Sequence, residues 1–520
     1  MNASNSPFST RTRTMNHTLF SALALAAAAT LCAGPPALAQ PAPGALSAAQ
    51  TAAIDAIGRA SIDQGGAPSV SIAVLRGGTF VYRKQFGVSN VEDAVVPDDQ
   101  TRYPIGSNTK QFTAVAILML QDRGKLNVDA PLATYLPEIP HAKQVTLRNL
   151  LMHTGGYAEF TAREDFDEVG ARPATPAQVV AASVKEPLAF KPGTKREYSN
   201  TGYMLLTMVI ERLSHQSYGD FIRTHIFEPL GMTHSFVRTY DDTRPDVATE
   251  YDDYALGPWE HADHISYTWF GGAGSIITDP EDLAKWNAAL DGGKLLSPRS
   301  QREMMTPVKV DATFPDYGFA IMVSKLPNGH REIYHGGNTM GAATQDARFP
   351  DDHLQIIVLA NSGAYSYDEA VKAIYGILVP APPATPGPTG KPAAKAPTPQ
   401  GPKANPADVA AAKAWLENAI AGRIDDAKLR PDFRAHLIPA HRAALRALAE
   451  LGPRTYVLID TDRRPPATSY LFLVKTPKAE LLYAFAKDDD GTIAAGDVIR
   501  HVIFPTAPSP TPTPLPSATP

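Results

Sequence analysis

The chain has 520 residues, of which 44% are hydrophobic and 19% are charged, a composition typical of globular proteins. This length is too great for one ordinary compact core, so two or three structural units are expected. The formal net charge of -5 provides no basic surface for nucleic acid or anionic lipid, and neither is expected as a partner.

The N-terminal segment, residues 1–39, has the pattern of a signal peptide. Arg11 and Arg13 supply a positive region, residues 19–31 form a short apolar run, and Ala37-Leu38-Ala39 gives a small-x-small cleavage pattern. A membrane anchor is the alternative, but the apolar run is too short to span a bilayer comfortably. We therefore expect export, cleavage, and a periplasmic or secreted mature protein with no stable membrane span.

Proline-rich segments divide the rest of the chain. Residues 380–406 are mostly Pro, Ala, Gly and Lys, which predicts a linker stiffened by proline. This linker separates a large part, residues 45–379, from a smaller part, residues 407–505. The last segment, residues 506–520, is rich in Pro, Ser and Thr and is predicted to be disordered.

The large part has strand patterns near both of its ends and helix patterns between them. The predicted elements are a helix at 46–63, strands at 69–75 and 79–83, a helix at 108–122, mostly helices over 145–290, and strands at 331–334, 343–349 and 354–360. The helix at 108–122 is apolar on nearly every face, so we expect it to be buried. One sheet built from both ends gives a mixed α/β architecture with a helical insertion.

Ser107 and Lys110 are the first candidate catalytic pair. A serine at the start of a buried helix places its hydroxyl in a cleft, and a lysine three residues later lies one turn on along the same face. A neutral lysine there can take the serine proton, provided that burial or a nearby cation lowers its pKa. Such a pattern also arises by chance, but this is the only S-x-x-K in the chain.

Tyr198 and Asn200 form the second candidate pair, in the only Y-x-N of the chain. A tyrosine hydroxyl near a lysine can carry a proton to a leaving group, and Asn200 can donate to a substrate carbonyl or hold the lysine. The alternative is a helix N-cap at Ser199 or Asn200, with Tyr198 as packing. Taken alone, these residues favour the N-cap.

The third candidate motif is His335-Gly336-Gly337, which follows a predicted strand. Its glycines would let a substrate backbone come close, and the alternative is a turn between two strands. A second H-x-G, His153-Thr154-Gly155, is not followed by a strand pattern. We interpret this second H-x-G as the turn that ends a helix.

These three motifs, in this order, resemble the serine β-lactamase and penicillin-binding protein superfamily. The Y-x-N form is similar to its class C branch, which includes D-Ala-D-Ala carboxypeptidases, related esterases and D-aminopeptidases. The resemblance covers residues 45–378, about two thirds of the chain, and extends to the stretches 145–156, 190–194 and 271–275. It implies a β-lactamase/transpeptidase-like α/β fold, in which an antiparallel sheet is flanked by helices and accompanied by a helical subdomain.

The resemblance also implies an acyl-enzyme mechanism that needs no metal and no cofactor. Ser107 would attack a carbonyl with Lys110 as its base, and Tyr198 would pass a proton to the leaving group. The backbone N–H groups of Ser107 and Asn338 would hold the oxyanion. The residues implied to contact a small-molecule or peptide substrate are Asn200, His335, Gly337 and Asn338.

One departure from the family pattern bears on the substrate. Where the third motif is usually Lys-Thr-Gly, His335 and Gly336 replace a permanent cation and a hydroxyl donor. With an ordinary pKa of about 6.5, histidine offers less charge to a substrate carboxylate at neutral pH. We therefore expect weak β-lactam turnover and an ester, amide or D-amino-acid peptide substrate.

The small part predicts a separate α+β module. Helices are predicted at 409–421 and 439–451, followed by strands at 455–459, 469–474 and 480–485. The module looks like the cystatin-like or NTF2-like domains sometimes attached to such hydrolases. It shows no catalytic set, so a packing or accessory binding role is favoured.

Other functions have weaker support. His261, Asp263 and His264 suggest a metal site, but no further spaced ligand and no H-E-x-x-H accompanies them. The chain has no G-x-S-x-G, which argues against an α/β-hydrolase, and no P-loop or dinucleotide fingerprint. A non-catalytic binding or regulatory protein of the same fold is the alternative to a hydrolase, and the sequence leaves the oligomeric state open.

Overall fold

The structure, a computed structural model, describes residues 44–163, 165–239, 244–252, 257–310, 316–380, 404–464 and 466–505. The predicted signal peptide (1–39), all but the ends of the predicted linker (380–406) and the predicted tail (506–520) lie outside the described residues. Within the described ranges, none of the helices is long and apolar enough to cross a membrane.

Two sets of elements make up the described residues. The strands are β1 Ser69–Arg76, β2 Thr79–Gly87, β3 Tyr103–Pro104, β4 Phe236–Val237, β5 Tyr251–Asp252, β6 Glu260–His261, β7 Ile276–Thr278, β8 Met322–Lys325, β9 Arg331–Asn338, β10 Ala343–Phe349, β11 Leu354–Ala360, β12 Thr455–Arg464, β13 Ala467–Lys475, β14 Glu480–Asp488 and β15 Ile493–His501. The α-helices are α1 Ala48–Asp63, α2 Thr109–Asp122, α3 Leu147–Leu151, α4 Phe166–Gly170, α5 Pro176–Val180, α6 Asn200–Ser214, α7 Tyr218–Ile222, α8 Glu228–Leu230, α9 Gly271–Gly274, α10 Pro280–Asp291, α11 Pro298–Met305, α12 Tyr367–Leu378, α13 Pro406–Ile420, α14 Pro431–His436 and α15 Pro439–Ala447.

Strands from both ends of the large part form one antiparallel sheet, in the order β2-β1-β11-β10-β9-β8. The N-terminal β1 pairs with the C-terminal β11 from Val70 opposite Ala360 to Arg76 opposite Leu354. The predicted α/β architecture is therefore confirmed. β9 is longer than the predicted strand and continues through Asn338, so the H-x-G motif lies within it.

Helices cover both faces of this sheet, which explains why β1 reads as a continuous apolar run. Along β1, Ile72 and Val74 belong to the core beneath α1 and α12, whereas Ala73 and Leu75 belong to the core around α2. α2 is buried along most of its length, as predicted, and a 3-10 turn at Gly106–Asn108 leads into it.

The small C-terminal part has an apolar core of its own, in which α13, α14 and α15 accompany the antiparallel sheet β12-β13-β14-β15. This is an α+β arrangement, and its likeness to cystatin-like or NTF2-like domains stays a prediction. After β15 the chain returns to the large part. The Gln64 side chain exchanges two hydrogen bonds, of 3.0 and 2.9 Å, with the backbone of Ile503, and Phe504 packs against the α1–α12 core.

A buried carboxylate ties the helical region to the sheet. Asp346 on β10 accepts hydrogen bonds from Asn287 Nδ2 on α10, at 2.8 and 2.7 Å, and from Gln355 Nε2 at 3.3 Å. Burial raises the pKa of Asp346 from 3.8 to about 6, because these amide donors and Arg348 offset only part of the lost hydration. The folded protein therefore holds the Asp346 proton more tightly than the unfolded chain does.

Asp346→Asn is expected to change how stability depends on pH. Because the folded-state pKa is raised, the stability that protonated Asp346 contributes is complete below pH 3.8 and is lost as the pH rises through about 6. The variant has no such loss, so its free energy of unfolding relative to wild type gains up to about 3 kcal/mol across that range.

Urea unfolding of both proteins at a series of pH values measures this difference. The new amide has an acceptor within reach, because Asn287 Oδ1 is buried and has no hydrogen-bond partner among the described residues. A constant difference in stability between the two proteins from acid to neutral pH would contradict the prediction.

Candidate active site

The turn before α2 and the end of β9 meet at Ser107. A Cβ at Gly337 would lie 2.0 Å from the Ile105 carbonyl oxygen and 3.0 Å from the Ser107 nitrogen, so only glycine lets β9 pass this close. Ser107 is half-buried and Asn338 is exposed. The strand and the turn thus form a cleft wall with the serine hydroxyl at its edge.

Lys110 lies on the first turn of α2, and its side chain is fully buried next to Ser107. Its Nζ lies 2.9 Å from Ser107 Oγ, 2.8 Å from Asn200 Oδ1 and 2.7 Å from the Ala273 carbonyl oxygen. Burial lowers the pKa of Lys110 to about 7, although the Glu159 carboxylate acts in the opposite direction. Near neutral pH, a substantial fraction of this amine is therefore uncharged.

The neighbours of Nζ also suit an uncharged amine. Asn200 Oδ1 and the Ala273 carbonyl oxygen can only accept, which uses both N–H groups of a neutral lysine. The remaining lone pair then faces Ser107 Oγ, which can donate its own proton. In this geometry a lysine can act as the base for a serine nucleophile.

Tyr198 lies over Lys110, with Nζ 4.9 Å from the centre of its ring. Its hydroxyl is buried and has no hydrogen-bond partner among the described residues. Burial raises the pKa of Tyr198 above its ordinary value, although the nearby Ser107 hydroxyl acts in the opposite direction. Tyr198 therefore keeps its proton at neutral pH, and its hydroxyl is available to an incoming substrate atom.

The start of α6 holds Tyr198 and Asn200 in place. Ser199 is the N-cap of this helix, and its side chain accepts from the Gly202 N–H. Glu159 Oε2 accepts from the Asn200 N–H at 2.6 Å, so a carboxylate faces the positive end of the helix. Capping and contact with Lys110 are thus divided between neighbouring residues of one motif.

His335 enters the site from behind. It is 2% exposed, so its ring meets buried partners and not solvent. Its Nε2 lies 3.1 Å from the Tyr317 hydroxyl, and its Nδ1 contacts the carbonyl oxygen of Gly336. Burial and the nearby Lys110 lower the pKa of His335 to about 3, so the ring carries no charge at neutral pH.

The residues predicted from the sequence converge on one cleft. Grouped together are Ser107, Lys110, Tyr198 and Asn200, with Gly337 and Asn338 on the facing strand and the His335 ring 6.4 Å from that of Tyr198. The Asn338 side chain turns to the Gly363 carbonyl oxygen (3.0 Å) and the Tyr367 hydroxyl (3.1 Å).

Sequence reasoning missed Glu159, Tyr317 and the carbonyl of Ala273, and it gave His153 too small a place. His153 follows the end of α3 in a left-handed conformation, as predicted, but its ring also lies 4.3 Å from that of Tyr198. The repeated H-x-G pattern was a signal that could have drawn attention to it. A backbone carbonyl such as that of Ala273 leaves no signal in residue type.

The weak metal candidate in the sequence has another arrangement in the structure. His261 Nε2 lies 3.3 Å from Glu92 Oε1. In the part of the chain that the structure describes, His, Cys, Asp and Glu side chains form no group of three or more that could hold a metal ion.

The fold and this site are those of the serine β-lactamases and penicillin-binding proteins, a class of serine hydrolases. A family model described as Beta-lactamase matches residues 53–379, more than half of the chain, and the chain therefore belongs to the β-lactamase family.

Three solved structures show the range of its relatives. A D-stereospecific amidohydrolase from Streptomyces sp. is 27% identical with a TM-score of 0.55, over 62% of this chain and 97% of that one. A D-amino acid amidase from Ochrobactrum anthropi SV3 is 26% identical with a TM-score of 0.53, over 62% and 98%. A penicillin-binding protein from Bacillus halodurans is 25% identical with a TM-score of 0.54, over 61% and 99%.

Proposed function

We propose that this protein is an exported serine hydrolase that acts through an acyl-enzyme on an ester, an amide or a D-amino-acid peptide. The observation that carries the proposal is the contact of 2.9 Å between Ser107 Oγ and the buried Lys110 Nζ, whose other partners are acceptors only. A buried lysine with a lowered pKa next to a half-exposed serine is a pairing that suits nucleophilic catalysis.

Each reacting group has one role. Lys110 takes the Ser107 proton as Oγ attacks the substrate carbonyl, and the N–H groups of Ser107 and Asn338 stabilise the oxyanion. The Tyr198 hydroxyl gives its proton to the departing oxygen or nitrogen and regains one from Lys110. Water then attacks the acyl-enzyme with the same groups, which releases the acid and restores Ser107.

The charge of the site favours substrates other than typical β-lactams. At the position of the family's usual lysine, His335 is buried and uncharged, so β9 presents no cation there for a substrate carboxylate. Two of the similar structures hydrolyse amides, and their names specify D-stereospecific or D-amino acid substrates. An esterase or D-peptidase activity is therefore favoured over efficient β-lactamase activity.

The place and organisation of the protein are part of the proposal. The pattern of residues 1–39 supports export to the periplasm or the medium. The hydrolase domain would span 45–379, and the α+β module at 407–505 would be an accessory domain joined to it by the linker at 380–406.

The pH dependence of turnover follows from the pKa of Lys110. Since the reaction needs the uncharged amine, kcat/KM is expected to fall about tenfold per pH unit below pH 7 and to level off above it. Initial rates with an uncharged ester from pH 5 to 9 measure this profile. A rate that is flat through pH 7, or that rises toward acid, would contradict Lys110 as the base.

A panel of substrates tests the proposal. The mature protein from Gln40 onward is incubated with a D-amino acid amide, its L-enantiomer, a short-chain p-nitrophenyl ester and a penicillin, beside Ser107→Ala. We expect Ser107-dependent turnover of the ester or the D-amide, with the penicillin slowest. Fast penicillin turnover would refute the substrate class, and silence of a folded protein with all four would favour the non-catalytic alternative.

A further inference from the structure

Three buried side chains form a line behind Tyr198. His153 is 1% exposed and Tyr317 is fully buried, and each contacts the next member of the line. His153 Nε2 lies 3.0 Å from the Tyr317 hydroxyl, which lies 3.1 Å from His335 Nε2. The line joins the turn after α3 to β9, so it connects two opposite walls of the cleft.

The backbone at each end fixes the direction of these hydrogen bonds. Ser199 N–H donates to His153 Nδ1 at 3.1 Å, so the proton of a neutral His153 is on Nε2 and is donated to Tyr317. At the other end, His335 Nδ1 faces the Gly336 carbonyl oxygen and must carry the proton. His335 Nε2 then accepts from the Tyr317 hydroxyl, and one tyrosine proton satisfies the whole line.

An extra proton on either ring would break this order. A second proton on His153 would face the Ser199 N–H, and a second proton on His335 would make two N–H groups point at one hydroxyl. Charged groups around the line act in the same direction. Lys110 on α2 and Arg196 before α6 lower the pKa of His153, and Lys110 lowers that of His335.

The one carboxylate near the site does not reverse this order. Glu159 is engaged with the N–H groups at the start of α6, and its charge acts on Lys110 and Tyr198. The tyrosine neighbour of the line is Tyr203 on α6, whose ring lies 5.2 Å from that of His153 and whose hydroxyl donates to the Leu151 carbonyl oxygen.

The two ends of the line touch the elements that carry the reacting groups. His153 stacks on the Tyr198 ring at 4.3 Å and holds the peptide of Ser199, next to Tyr198. His335 holds the carbonyl of Gly336, one residue before the glycine that passes Ser107. The spacing between the Tyr198 wall and the β9 wall therefore depends on Tyr317 in the middle.

We propose that His153, Tyr317 and His335 are positioning residues, which hold Tyr198 and β9 at a fixed spacing on either side of Ser107 by an uncharged, directed line of hydrogen bonds. The proposal rests on the proposed hydrolase function. It also gives a reason for histidine at position 335. A lysine there would add a second buried cation near Lys110 and would offer Tyr317 a donor where the line needs an acceptor.

Tyr317→Phe tests the line, because it removes one hydroxyl and keeps the ring. We expect kcat for the preferred ester or amide to fall roughly 10- to 100-fold with KM changed less, since small misplacements of reacting groups have effects of this size. Tyr483→Phe is the matched control, because Tyr483 is also fully buried and its hydroxyl donates to the Ala412 carbonyl oxygen in the C-terminal part.

A spectroscopic readout separates positioning from general loss of structure. In protein labelled with [15N]histidine, wild type is expected to show one histidine protonated on Nε2 and one on Nδ1 that keep these tautomers from pH 5.5 to 8, and Tyr317→Phe is expected to change only this pair. The reverse tautomers, or titration of either ring in that range in wild type, would overturn the proposal.

The outcomes also distinguish this inference from the proposed function. Absence of Ser107-dependent turnover in wild type would refute the hydrolase. Normal wild-type turnover together with an unchanged kcat in Tyr317→Phe would refute only the positioning line.

Discussion

Ser107→Ala is expected to lower kcat by roughly 10,000-fold or more, the largest effect of any single substitution in this protein. Without the hydroxyl no acyl-enzyme can form, and the oxyanion donors and Lys110 retain only the small catalysis that orientation and charge provide. The effect should be in kcat, because the alanine variant leaves the substrate cleft unchanged. Steady-state rates with the preferred ester or amide measure it.

The control for this variant is Ser324→Ala. Ser324 is a partly buried serine on β8 whose hydroxyl donates to Glu332, at the edge of the sheet that is farthest from β2. It should keep wild-type turnover. If Ser107→Ala retained a tenth of the wild-type rate, another group would be the nucleophile.

Lys110→Met is expected to lower kcat/KM by roughly 1,000- to 10,000-fold, because it removes the base that takes the serine proton. Methionine fills a similar volume, so the core around α2 should stay packed. The variant leaves Asn200 Oδ1 and the Ala273 carbonyl oxygen without their donor, and some loss of thermal stability is expected as well.

A second substitution separates the base from the donor. Lys110→Arg keeps a cation and its N–H groups but cannot become neutral near pH 7, so it should be as inactive as Lys110→Met. The exposed Lys143→Met is the surface control and should retain full activity. Substantial activity in a folded Lys110→Arg protein would show that lysine acts here as a donor and not as a base.

The sheet could be predicted from the sequence because its strands carry local signals. β1, β10 and β11 are apolar runs of strand length, and their positions near both ends of the large part require pairing between them. The end of β9 was predicted too early, because Gly336 and Gly337 weaken a strand pattern that the register with β10 nevertheless continues.

The site could be predicted in part for a related reason. Ser107 and Lys110 lie one helical turn apart, so their contact follows from local geometry. Tyr317 and His153 lie far apart in the chain, and neither has a local pattern that indicates a buried hydrogen-bond line. The burial of His335 likewise depends on packing between distant elements, which no spacing reveals.

The most direct test of the central claim is to trap the acyl group. The mature protein and Ser107→Ala are incubated with a slowly released acylating substrate, such as a fluorescent penicillin, and with a p-nitrophenyl ester, and the adduct is measured by intact mass and then mapped to a peptide. The account predicts one acyl group per chain on the peptide that contains Ser107, and none in the variant. An adduct on another residue, or an equal adduct in Ser107→Ala, would contradict it.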